Sequence, residues 1–123
     1  MNQVQMVNLD IQCAELGRML AQIDGMEEKM LNAALTVLEE QGPYAMFLFV
    51  KARHGKIATP FGDQCTGFLK GMFGTKAGDA KDALEVVKKL AESLDDLLSA
   101  RDLLRTALAY ARYHLKAKEG GSS

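Results

Sequence analysis

Leu94, Leu97, Leu98, Leu104, Leu108, Ala111 and Leu115 recur at helical intervals over the closing quarter of the chain, and this spacing most restricts the fold. Apolar residues three and four apart occupy one stripe of a helix, whereas a half-buried strand needs strict alternation. Met6, Leu9, Cys13, Leu16, Leu20 and Ile23 repeat the pattern near the start, at intervals of 3, 4, 3, 4 and 3. No alternating run long enough for a strand occurs anywhere. The fold class expected is therefore all-α, a compact bundle of five to six helices.

The breaks between helices are also legible. Asp24 and Gly25 interrupt the first pattern, and Met26 to Gln41 resumes it with Met30, Leu31, Ala34, Leu35 and Leu38 inward and Glu27, Glu28, Glu39 and Glu40 outward. Gly42 followed by Pro43 closes one helix and opens the next, since glycine accepts the left-handed end of a helix and proline suits a first turn. The third helix runs from Pro43 into Lys51-Ala52-Arg53-His54-Gly55-Lys56. From Ile57 to Gly78, Pro60 and five glycines dilute the pattern. Each helical glycine costs about 1 kcal/mol relative to alanine, so this central glycine-rich connection is expected to hold at most a short helix, Phe61 to Phe73. Asp79 to Ala91 reads as a fifth helix. Ser93-Leu94-Asp95-Asp96 reads as a capped start for the last, which is expected to end near Lys118. Residues 1–119 form one domain on this reading, with 120–123 a disordered tail.

At 123 residues, such a chain buries about two thirds of its unfolded surface, enough for one core and too little for a large multidomain enzyme. The longest apolar run, Ala45 to Val50, is far short of the roughly 20 residues of a membrane span. The N-terminus lacks the basic-then-apolar order of a secretion signal, and Cys13 and Cys65 form no CxxC pair, so reduced thiols and a cytoplasmic location are expected.

Catalytic signatures fail one by one. The glycine-rich stretch matches neither GxxxxGK[ST] nor GxGxxG, and no strand precedes it. His54 and His114, the only imidazoles, stand in no zinc-ligand pattern, so no metal or cofactor is expected. A phosphotransfer role for His114 would need further helices after it. No Ser/His/Asp order is recognisable, and neither cysteine has a basic neighbour in sequence to favour its thiolate. The chain is expected not to be an enzyme.

Charge is more informative. The net charge of −1 hides alternating blocks: −5 over residues 1–42, +4 over 43–76, −3 over 77–99 and +3 over 100–123. Arg101, Arg105, Arg112 and Lys116 are spaced 4, 7 and 4 apart, which sets them within an arc of about 60° beside the leucine stripe. Such a rail can grip phosphate oxygens without reading sequence. Equally, long basic chains often cover the edge of a core stripe with their methylenes while the charge stays in water. Lys51, Arg53 and Lys56 form a second basic patch where the third helix ends, a position that the helix dipole favours for local reasons alone. Tyr110 and Tyr113 are expected on a side of the last helix away from its core stripe, free to stack on a base or a partner. Val4, Val7, Ile11 and Ala14 make a second apolar stripe on the first helix, either core or a partner interface.

The segment Glu40-Gln41-Gly42-Pro43-Tyr44-Ala45-Met46-Phe47-Leu48-Phe49-Val50-Lys51-Ala52-Arg53-His54-Gly55-Lys56 resembles the glycine, apolar helix and basic end of the small helical subunit of type III CRISPR effector complexes. Residues Leu98 to Ala117, with Tyr110, Arg112, Tyr113 and Lys116, are similar to that family's closing helix. The resemblance implies a non-catalytic all-α subunit that stacks in copies beside other effector-complex subunits. It implies further that target cleavage belongs to those subunits, while Lys51, Arg53, Lys56, Arg101, Arg105, Arg112 and Lys116 meet guide or target RNA along its backbone. The alternative is a helical adaptor or homo-oligomeric scaffold without nucleic acid, joined through Val4, Val7 and Ile11.

Overall fold

The computed structural model describes residues 3–121, with side chains for 8–118. Six helices follow one another: α1 (Gln3–Ala21), α2 (Glu28–Gln41), α3 (Pro43–Arg53), α4 (Gly55–Phe73), α5 (Ala83–Leu90) and α6 (Leu94–Gly121), with a 3₁₀ turn at Gly74–Ala77 between α4 and α5. No strand occurs among the described residues, so the all-α bundle is as the periodicity predicts.

The turns follow from single residues. Gly25 and Gly42 adopt φ of 88° and 99°, backbone that side chains disfavour. The Gly42 N–H donates to the Leu38 carbonyl at 3.0 Å and Pro43 opens α3 directly. Ser93 caps α6, its hydroxyl accepting from the Asp96 N–H at 3.3 Å. Asp82 caps α5 by accepting from the Glu85 N–H at 2.9 Å. That cap explains why α5 begins at Ala83, not at Asp79 as expected: a capping residue lies outside the helix it starts.

The glycine-rich stretch departs most from expectation. It is not a connection with a short helix but α4, 19 residues long, running through Pro60. Ile57, Phe61, Cys65 and Leu69, four apart, are all buried, and Phe61 packs its ring 5.9 Å from that of Phe47 on α3. Burial of one full stripe outweighs weak intrinsic propensity, as it does for most helices in proteins. Gly62, Gly67 and Gly71 fall off the buried stripe, where an added methyl would meet nothing.

The first and last helices lie against each other. Cys13, Leu16 and Leu20 of α1 face Ala100, Leu104, Ala107, Leu108, Ala111 and Leu115 of α6, all buried. The expected stripe of α6 begins too early, because Leu94 is 68% exposed and Leu98 is also exposed. The alanines take their place, and they let α1 approach. The helix continues through Gly120 and Gly121, while Ser122 and Ser123 lie outside the described residues. No helix among the described residues is long and apolar enough to cross a membrane.

Candidate nucleic-acid interface

The rail residues do share one side of α6, but the fold sets carboxylates among them. Asp102, one residue after Arg101 and three before Arg105, takes both: its Oδ1 lies 3.1 Å from Arg105 Nη2 and 4.0 Å from Arg101 Nε. Lys116 Nζ meets Glu28 Oε1 of α2 at 3.3 Å. Glu28 therefore does not simply face solvent. Arg112 is the exception. It is half-buried and has no carboxylate within ion-pair reach among the described residues; its Nε, like that of Arg101, is buried without a hydrogen-bond partner.

Arg105 and Arg112 line a groove of about 450 Å³ between α1, α2 and α6, together with Asp10, Glu39, Tyr110 and Tyr113. The two tyrosines differ. Tyr113 is 66% exposed and free to stack on a flat partner. Tyr110 is half-buried against the core, and its hydroxyl donates to both carboxylate oxygens of Asp10 at 2.9 Å. The bond to Asp10 holds the Tyr110 phenol above its ordinary range. Only Tyr113 of the pair is available in the way expected from sequence.

The second patch is largely exposed, and among the described residues neither Lys51, Arg53 nor Lys56 has a carboxylate within ion-pair reach. The fold divides it, however. Lys51 borders a groove between α3, α4 and α5 with Asp63 and Asp82. Arg53 and Lys56 border a different one with Lys29 of α2, a residue that sequence reasoning does not select.

Of the second stripe on α1, Ile11 is 54% exposed and so faces solvent in the single chain; Val4 and Val7 have side chains outside the described residues. Ile11, Glu15 and Met19, spaced four apart, share that outer face, and Met19 is exposed as well. Met19 borders a groove with Phe68 of α4.

The thiols are held inert by burial. Cys13 is pushed up to about 11, by burial first and by Asp10 second, and its thiol donates to the Leu103 carbonyl at 3.6 Å. Burial raises Cys65 further still. Among the described residues no group of three or more His, Cys, Asp or Glu side chains could hold a metal ion. Comparison with protein families, curated proteins and solved structures finds no match to this chain.

Proposed function

We propose that this chain is the non-catalytic small helical subunit of an RNA-guided type III CRISPR effector complex in the cytoplasm, packed against copies of itself and larger subunits, with the α6 edge laid along guide or target RNA. One observation carries the reading: Arg112, with no carboxylate within ion-pair reach among the described residues, adjoins exposed Tyr113 and shares a groove with Arg105. A guanidinium without a carboxylate suits a phosphate oxygen, and a bare tyrosine suits an unstacked base. The resemblance of residues 40–56 and 98–117 supports the same conclusion.

The test is a pull-down of tagged protein at low salt, wild type against Arg105→Glu/Arg112→Glu. Large effector subunits and short RNAs with a common repeat-derived end are expected with the wild type. The variant is expected to lose RNA by a similar factor for unrelated sequences, because backbone contacts read charge and not bases. Unchanged RNA recovery would remove the α6 edge from the reading.

A second reading, a scaffold without nucleic acid, draws on the outward-facing Ile11 and on the three rail cations that already hold carboxylates. It expects Ile11→Asp to abolish self-association while the helical content stays. An unchanged oligomeric state would exclude Ile11 as the contact.

A further inference from the structure

Lys29, Arg53, His54 and Lys56 line one groove of about 390 Å³ where the start of α2 meets the junction of α3 and α4, and Glu27 is the single carboxylate among its lining residues. Among the described residues, neither Lys29, Arg53 nor Lys56 has a carboxylate within ion-pair reach. Helix electrostatics accounts for the three unequally. Arg53 stands in the last turn of α3, where a cation is favoured. Lys29 is the second residue of α2, where the positive end of the helix dipole disfavours a cation, and Lys56 is the second of α4, where that effect is offset by the end of α3 three residues earlier. Lys29 thus breaks a local rule, and it lines the same open groove as Lys56 from a separate helix. A local rule broken without a compensating contact is expected at functional or strained sites in natural proteins.

We infer that this groove binds the phosphate group of a ligand, with Lys29, Arg53 and Lys56 as its cationic contacts. A phosphate has enough oxygens to accept from all three heads at once, and arginine can engage two of them in a plane. Gly55 leaves the α3–α4 junction bare, since an added methyl there would meet nothing within 4 Å. The groove is open, which suits a group that stays partly hydrated, such as a phosphodiester of a nucleotide chain or a free phosphate ion. For Arg53 and Lys56 the inference rests on the RNA-contact reading and adds Lys29 and a shared groove to it, while the site stands whether or not the α6 edge touches RNA.

The experiment titrates isotope-labelled full-length protein with inorganic phosphate and, separately, with a short oligouridylate, following backbone amide shifts. Saturable shifts are expected at Lys29 and at residues 53–57, and Lys29→Gln/Lys56→Gln should abolish them. Among the described residues neither lysine holds a carboxylate, and Lys29 opposes a helix dipole, so the variant keeps its Tm. Its oligouridylate affinity should fall about tenfold, with the salt slope reduced by roughly 0.7 for each phosphate that is no longer neutralised. Tighter binding of oligouridylate than of phosphate at these residues assigns the source as a phosphodiester chain; equal affinity assigns the free ion. Absence of saturable shifts there with both probes, or shifts that persist in the variant, would overturn the site. Oligouridylate shifts confined to the Arg105–Arg112 groove would also overturn it while sustaining the α6 edge as an RNA surface.

Discussion

Gly17 and Ala107 meet so closely that a methyl group on Gly17 would stand 2.7 Å from the Ala107 carbonyl oxygen, and 2.6 Å from Tyr110 Cβ. No side chain fits between α1 and α6 at this point. Gly17→Ala must therefore push the two helices apart, an overpacking change that costs about 1–3 kcal/mol. Gly67→Ala in α4 makes the same chemical change where nothing lies within 4 Å. Its only effects are on helix propensity and unfolded-chain entropy, so it should stabilise by about 0.5–1 kcal/mol. Thermal melts of the two variants should move in opposite directions. A Gly17→Ala protein as stable as wild type would show that the crossing is looser than described.

Tyr110 and Asp10 tie the same two helices together. The phenol is held above its ordinary value by its bond to Asp10. A group whose folded value is raised contributes stability below its unfolded value and loses that contribution as pH rises through the folded one. Here the loss comes because a tyrosinate would face the Asp10 carboxylate. Followed by tyrosinate absorbance, Tyr110 should ionise at a higher pH than an ordinary tyrosine. Asp10→Asn should bring that ionisation down toward the ordinary value, and an unchanged absorbance titration in the variant would refute the tie.

Much of this fold is legible in the chain, and the parts that are not share a cause. Gly42-Pro43 and Ser93 act through their immediate neighbours, so local chemistry finds them. The cations of α6 can be placed on one face by counting, and the same counting puts Asp102 beside them as their neutraliser. Glu28 cannot be found that way, because it reaches Lys116 only after α2 packs beside α6. Lys29 escapes for the same reason, since its groove exists only once the start of α2 meets the α3–α4 junction. The length of α4 is hidden because propensity is summed residue by residue, whereas burial of Ile57, Phe61, Cys65 and Leu69 is gained together.

Burial also governs the thiols. With Cys13 pushed up to about 11 and Cys65 higher still, almost no thiolate exists at neutral pH, and the sulfurs are shielded from solvent. Alkylation of the native protein at neutral pH should therefore be slow at both positions, and rapid at both in urea. Fast modification of Cys13 in the native state would mean that α1 lifts from α6 readily, the local opening that a close-packed crossing at Gly17 opposes.

The carboxylates in the rail make the sharpest separation between the two readings of function. If the α6 edge lies along RNA, Asp102 competes with phosphate for Arg101 and Arg105, and Glu28 competes for Lys116. Exposed pairs of this kind are worth about 0.2–1 kcal/mol, so Asp102→Asn should tighten RNA binding by roughly 1.4- to fivefold, and adding Glu28→Gln should tighten it further. If the edge only covers the core, the same substitutions remove a weak ion pair, leave RNA binding absent and slightly lower the Tm. Affinity measured at two salt concentrations distinguishes the cases: a steeper salt dependence in Asp102→Asn than in wild type requires phosphate contacts by the arginines it releases, and an unchanged one assigns them to the protein's own surface.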